Sequence, residues 1–185
     1  MCLRSMEVLP RIDDGSNTNR YETRRGMKVL AIDPGVMTGY AYARINDAGE
    51  MQFFPFQMTD EVDDLWRRLF EFKPDRIVME DFDFRGGHHR AATGINYFPL
   101  QLIGVTRLYE LTEPTGRCAL YLQKAAQGKS YYTDTMLKKN NYYKRGVPHG
   151  MDAVRHLLQW ATFGAGFKYI NGKQDFATML KEWSE

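Results

Sequence analysis

The chain has few of the features that mark secreted, membrane or zinc-cluster proteins. Cys2 and Cys118 are the only cysteines among its 185 residues, too few for a disulfide framework or a four-cysteine zinc site. No apolar run approaches the roughly 18 residues that a membrane-spanning helix needs. Residues 1–20 contain no apolar segment of signal-peptide length. We therefore expect a cytoplasmic protein in a reducing compartment, with no membrane partner.

A strong net charge is also lacking. With 25 Lys+Arg against 23 Asp+Glu, the formal charge is only +2, whereas nucleic-acid-binding domains are usually more basic. A hydrophobic content of 43% with 14% aromatic residues excludes a disordered or collagen-like chain. This length corresponds to one domain, large enough to bury a core.

The charge is nevertheless unevenly distributed. Between residues 117 and 145 there are seven basic residues and one acid, Asp134, so this segment carries +6 and the rest of the chain −4. Five tyrosines are interleaved with these cations. Lys and Arg neutralise phosphates, and aromatic rings stack on unpaired bases. A solvated basic helix with its tyrosines partly in the core explains the same pattern equally well.

Apolar periodicity predicts one α/β domain over residues 27–164, between a flexible tail at 1–26 and a C-terminal extension at 165–185. The predicted strands are 28–33, 38–45, 51–58, 76–80 and 118–122. The predicted helices are 97–111, 133–139, 148–162 and one that is capped by Thr59 or Asp60 and ends at Lys73. This order favours a five-stranded mixed sheet, antiparallel at first and parallel later, with helices on both faces.

Two predicted strands end in a single carboxylate. Asp33 follows the first strand directly before Pro34-Gly35, and Glu80 ends the fourth. If these strands pair in parallel, both carboxylates emerge at one sheet edge, where His149 and Asp152, which share a helix face, could join them. Carboxylates held together repel unless a cation lies between them, and Mg²⁺ is the usual cation in phosphoryl chemistry. Either acid alone is more often a turn former or a solvated group, whereas the set in this order favours a metal site.

These residues resemble the RuvC family of Holliday-junction resolvases over roughly residues 27–163. The motifs that carry the resemblance are Asp33-Pro34-Gly35, Thr38-Gly39-Tyr40, Glu80 after an aliphatic strand, and His149-Gly150-Met151-Asp152-Ala153. The resemblance implies an RNase H-like fold, a homodimer and metal-dependent, paired nicking of four-way DNA junctions, with 5′-phosphate and 3′-hydroxyl products. It also implies a bacterial or bacteriophage source.

The resemblance assigns catalytic and metal-binding roles to four positions: Asp33, Glu80, His149 and Asp152. The implied cofactor is Mg²⁺, two ions per site. Many relatives carry an acid where His149 stands, and imidazole suits Mn²⁺ better than Mg²⁺, so Mn²⁺ is expected to substitute. His149 could alternatively orient or deprotonate the attacking water.

The resemblance also indicates a DNA-binding surface. Relatives place lysines between the fifth strand and the last helix, where this chain has Lys124, Lys129, Lys138 and Lys139. They also carry an aromatic residue in the loop after the glutamate that stacks on an opened base. Here that offset holds Asp83, and either neighbour, Phe82 or Phe84, could stack instead. Alternatively the loop binds DNA through a different set of residues: Arg85, His88, His89 and Arg90. The apolar helix from Leu100 to Leu111 is either a dimer contact or a core helix.

Several alternatives remain open. A related RNase H-like nuclease could cut branched DNA more broadly or cut RNA–DNA hybrids, and a junction-binding module could bind without cutting. Asp33, Gly35 and Gly39 also fit the phosphate loop of actin-like and sugar-kinase ATP-binding domains, although those proteins need two such domains. A P-loop at Gly128-Lys129 is excluded because position 123 is Gln. A zinc-binding pair of His149 and His156 lacks further ligands nearby, so His156 is interpreted as a surface or packing residue.

Overall fold

The computed structural model describes residues 26–46, 48–59, 61–82, 97–165 and 171–174. For residues 171–174 it describes the backbone alone. Within these ranges lie six strands, five α-helices and one π-helical turn. They are β1 Met27–Asp33, β2 Thr38–Ile45, β3 Glu50–Met58, α1 Val62–Phe72, β4 Arg76–Asp81, α2 Phe98–Thr112, β5 Ala119–Lys124, α3 Ala125–Tyr131, α4 Asp134–Lys139, α5 Pro148–Gln159, the π turn Trp160–Gly164 and β6 Asn171–Gln174. Residues 1–25 of the predicted tail at 1–26 lie outside the described residues, so the predicted domain limits stay predictions.

The strands form one mixed sheet in the order β5-β4-β1-β2-β3-β6. β1, β2 and β3 pair antiparallel, while β1 with β4 and β4 with β5 pair parallel. The predicted five-stranded mixed sheet is therefore confirmed. β6, within the range assigned to the C-terminal extension, adds a short sixth strand parallel to β3.

Helices cover both faces of the sheet, as predicted. In β1 the alternating side chains divide between two cores. Val29 and Ala31 belong to the core that includes the buried residues of α5, whereas Leu30 and Ile32 pack with residues of α1 and α2. Because β1 is buried on both faces, it reads in the sequence as a continuous apolar run.

Two helical segments differ from the sequence-based expectations. α1 begins after Glu61, whose side chain and backbone form a reciprocal capping box with Asp64, so the predicted cap at Thr59 or Asp60 is wrong. The short helix α3 was not predicted, because its sequence AAQGKSY has no apolar stripe. In the folded chain α3 packs against α5. None of the described helices is long and apolar enough to cross a membrane.

Candidate active site

Parallel pairing brings the two strand-end carboxylates together. Ile32 of β1 lies opposite Met79 of β4, so Asp33 and Glu80, the next residues, leave neighbouring strands at the same edge of the sheet. This confirms the parallel pairing on which the predicted site depends. On its other side β4 pairs with β5, where Gln123 lies opposite Glu80.

The first turn of α5 lies against the same edge because Gly39 of β2 has no side chain. A Cβ at position 39 would lie 2.0 Å from the carbonyl oxygen of His149, a distance that no rearrangement of side chains could relieve. The backbone N–H of His149 also donates to Oε1 of Gln57 in β3 at 2.9 Å. As a result, Nδ1 of His149 lies 3.1 Å from Oδ2 of Asp33.

Asp152, one turn further along α5, is held by two cations. Its Oδ2 lies 3.1 Å from Nζ of Lys129 in α3, and its Oδ1 accepts from the guanidinium of Arg155. The same Lys129 ammonium lies 4.0 Å from Oε2 of Glu80. Lys129 therefore sits between two of the predicted metal ligands.

Glu80 has a further partner that the sequence did not predict. Nε2 of His156 lies 2.9 Å from Oε2 of Glu80, and Nδ1 lies 2.9 Å from Oε1 of Gln123. His156 is fully buried. The surface interpretation of His156 is thus wrong, and the packing interpretation missed its hydrogen bonds to a candidate ligand. The only signal in the sequence was its position one helical turn after Asp152.

The electrostatics of the cluster show an excess of negative charge. Burial, together with the charges of Glu80 and Asp152, raises the pKa of Asp33 from 3.8 to about 6, against the opposing effects of His149 and Lys129. Burial acts to raise the pKa of Glu80 as well, but the hydrogen bond and charge of His156, with Lys129, outweigh it and lower that pKa. For Lys129 burial favours the neutral amine, yet the three surrounding carboxylates raise its pKa.

The donor set suits a hard divalent cation in its chemistry. Carboxylates are ligands of Mg²⁺ and Mn²⁺. The raised pKa of Asp33 reflects its burial and the repulsion by Glu80 and Asp152, which such a cation would relieve. Among the described residues, however, no three His, Cys, Asp or Glu side chains converge as a metal site in their present orientations. Lys129, Arg155 and His156 hold two of the four side chains instead.

The other three candidate lysines form no ion pair with the site carboxylates among the described residues. Lys124, Lys138 and Lys139 are exposed, and Lys138 lies 3.9 Å from Asp134 and 4.6 Å from the ring centre of Tyr143. Of the four candidate lysines, only Lys129 joins the carboxylates. Phe82 is half-buried directly after β4, whereas Phe84 and Arg85 lie outside the described residues.

The interleaved tyrosines divide between core and surface. Tyr132 is buried and Tyr142 packs against the same core, whereas Tyr121 and Tyr131 are 39% and 50% exposed. The predicted packing of some of these tyrosines in the core is therefore confirmed, and the DNA-binding role of the basic, tyrosine-rich segment stays a prediction.

This arrangement of strands and helices is found in solved structures. RuvC of Thermus thermophilus superposes with a TM-score of 0.53 at 16% sequence identity, over 75% of this chain and 96% of that one. The chain has a RuvC-like fold. Thermus thermophilus RuvC in complex with Holliday junction substrate gives 0.55 at 16% identity, over 76% and 97% of the two chains. The yeast mitochondrial Holliday junction resolvase Ydc2 gives 0.51 at 17% identity, over 86% and 85%.

The likeness is visible in the fold and hardly in the sequence. No family model matches this chain, and no curated protein matches it either. The RuvC-like fold confirms the predicted RNase H-like architecture. The roles of individual residues must be argued from the geometry of this chain.

Proposed function

We propose that this chain is a metal-dependent endonuclease that resolves four-way DNA junctions. The observation that carries the proposal is the meeting of Asp33, Glu80 and Asp152 beside His149 at one sheet edge, on a fold shared with two resolvases. These residues come from three elements that are far apart in the sequence. Glu80 and Asp152 help to raise the pKa of Asp33 through their charges, and a bound divalent cation would relieve this repulsion.

Asp33, Glu80, His149 and Asp152 are the residues that would hold two Mg²⁺ ions, with Mn²⁺ as a substitute. When bound, such ions activate the attacking water and stabilise the leaving oxygen of a phosphodiester, giving 5′-phosphate and 3′-hydroxyl ends. Within the chain, His149 fixes Oδ2 of Asp33 through its Nδ1. Lys129 supplies a positive charge at the point where the phosphate would approach.

The DNA-binding surface extends from Lys129 over the exposed lysines. Lys124, Lys138 and Lys139 would contact phosphates beyond the cleaved one, and Phe82 follows Glu80 closely enough to face an opened junction. Phe84 and Arg85, which lie outside the described residues, are included in this proposed DNA-binding surface because of their position in the sequence.

A homodimer would place two such sites on opposite strands of the junction. α2 buries Leu102 and Tyr109 against the sheet, whereas Leu108 and Leu111 are 51% and 74% exposed. Exposed leucines on one helix are a surface that a second copy of the chain could cover. We therefore place the dimer contact on α2.

The test is cleavage of synthetic four-way, three-way and flap DNAs and of an RNA–DNA hybrid, with Mg²⁺ or Mn²⁺. Paired symmetric nicks on the four-way junction alone are expected. Equal cutting of all branched DNAs would contradict the proposal and indicate a general branch nuclease. Cutting of the RNA–DNA hybrid would contradict it and indicate a ribonuclease H activity. D33N and D152N should lose cleavage but retain junction binding, while E71Q, an exposed carboxyl change on α1, should cut normally. Normal cutting by either aspartate variant would refute the assigned site.

A further inference from the structure

His156 occupies a closed space between α5 and the sheet. It is fully buried, and both of its ring nitrogens face oxygen atoms of neighbouring strands: Glu80 of β4 on one side and Gln123 of β5 on the other. Gln123 is itself only 7% exposed. A buried imidazole is destabilising unless its nitrogens find partners, and here each ring nitrogen has an oxygen atom at 2.9 Å.

The neighbouring helix is shaped around this ring. A Cβ at Gly128 of α3 would lie 3.2 Å from both the backbone nitrogen and Nδ1 of His156. Any other residue at 128 would therefore press on the imidazole or push α3 away from α5. Since α3 also carries Lys129, the close contact sets the position of the ammonium as well as that of the ring.

We infer that His156, fixed by Gln123, is a positioning residue that orients the carboxylate of Glu80 for ligation. The inference rests on the proposed function, because it assigns a role towards the proposed metal ions. A glutamate has three rotatable side-chain bonds, and the side chain of Glu80 is 20% exposed. With Oε2 engaged by a ring that has no room to turn, the carboxylate presents its other oxygen in a fixed direction. Partners of this kind behind metal ligands commonly strengthen metal binding.

Lys129 and His156, the two side chains that contact Oε2 of Glu80, differ in their freedom to move. The side chain of Lys129 is 47% exposed and lies 4.0 Å from Oε2, so a metal ion or a DNA phosphate can displace it. The side chain of His156 is 0% exposed and lies 2.9 Å from the same oxygen. The imidazole contact is therefore the one that persists when Glu80 becomes a ligand.

The experiment measures Mn²⁺ binding to the DNA-free full chain by calorimetry, together with nicking rates over a range of Mn²⁺ concentrations. H156F removes both hydrogen bonds and keeps a ring of similar size, whereas H156Q retains one donor. Q123M removes the support behind the ring. The matched control is T106V: Thr106 is equally buried, and its hydroxyl bonds only within α2, to the carbonyl of Leu102.

H156F should weaken Mn²⁺ binding by about 10- to 100-fold, and saturating Mn²⁺ should restore most of its nicking rate. H156Q and Q123M should show smaller losses of affinity, and T106V none. A folded H156F that binds Mn²⁺ as wild type does would overturn the inference, as would a nicking defect that is the same at all Mn²⁺ concentrations. If H156F does not fold, unchanged affinity in both H156Q and Q123M overturns it equally.

Failure of the inference is distinguishable from failure of the proposed function. A wild-type chain that binds Mn²⁺ and nicks junctions, with His156 variants that do the same, refutes the role of His156 alone. A wild-type chain that neither binds Mn²⁺ nor nicks any branched DNA refutes both.

Discussion

Replacing Asp33 by Asn removes the charge of the most deeply buried carboxylate of the candidate site. The side chain of Asp33 is 10% exposed, against 20% for Glu80 and 22% for Asp152. Asn has nearly the same shape and still offers an oxygen to His149. The substitution therefore tests the electrostatic cost of the site with little change in packing.

The magnitude follows from the raised pKa. Asp33 titrates at about 6 in the folded chain instead of 3.8, a difference of about 2 units, and each unit corresponds to 1.36 kcal/mol, so ionising Asp33 costs the fold about 3 kcal/mol. For an acid whose folded pKa is raised, the stabilising contribution is complete below the unfolded pKa and is lost as the pH rises through the folded pKa. D33N should therefore match the wild type near pH 3.8 and exceed its free energy of unfolding by about 3 kcal/mol above pH 7.

Urea unfolding of both proteins from pH 4 to pH 8, with a chelator and no added metal, measures this difference directly. A thermal scan at pH 7.5 should place the D33N midpoint roughly 6–12 °C higher for a chain of this size. E71Q, a change at an exposed carboxyl of α1, should show no such pH-dependent gain. The reasoning is refuted if D33N is no more stable than the wild type at pH 7.5, or if the difference does not grow between pH 4 and pH 7. Adding Mn²⁺ should narrow the gap, because only the wild type keeps the full ligand set.

Three further changes test how the site is built and assembled. G39A should lower the free energy of unfolding in urea by about 3 kcal/mol and abolish nicking, because the new methyl group overlaps the backbone at the start of α5. Normal nicking by G39A would contradict the close approach of α5 to β2. K129M should lower the nicking rate at least about tenfold. K124M, a change at an exposed lysine at the end of β5, should mainly weaken DNA binding. Equal losses of nicking rate in the two variants would show that Lys129 has no specific role at the carboxylates. L108E with L111E should yield monomers in sedimentation and convert paired nicks into single ones, and a variant that remains dimeric would move the interface away from α2.

The carboxylate pair could be predicted because burial determines both strands that carry it. β1 and β4 each contain an apolar run, 29–32 and 77–79, that is followed directly by an acid, Asp33 or Glu80, and β4 continues to Asp81. The parallel pairing of β1 with β4, across a connection that contains α1, brings their ends to one edge of the sheet. The i, i+3 spacing of His149 and Asp152 then placed both side chains on one face of α5. Periodicity and a topological rule were sufficient for these four positions.

The partners of those carboxylates could not be predicted in the same way. Lys129 lies on a helix with no apolar stripe, and Gly128 lets that helix approach α5 closely. His156 occupies a position where a helix facing a sheet would ordinarily carry an apolar residue. Its function as a donor depends on Glu80 and Gln123, which lie on two other elements. These are contacts between distant segments, and no local pattern in a single sequence encodes them.

The near-zero net charge of the chain also has a structural explanation at the site. The acids at the strand ends and on α5 belong to the part of the chain that sums to −4, whereas Lys129 belongs to the segment between residues 117 and 145 that sums to +6. Folding joins the two parts at one point, where the ammonium lies between Asp152 and Glu80. A cation that entered between these carboxylates would compete with Lys129, and the released ammonium would then face an incoming phosphate. The basic segment therefore supplies, through Lys129, a positive charge that lies between two of the acids.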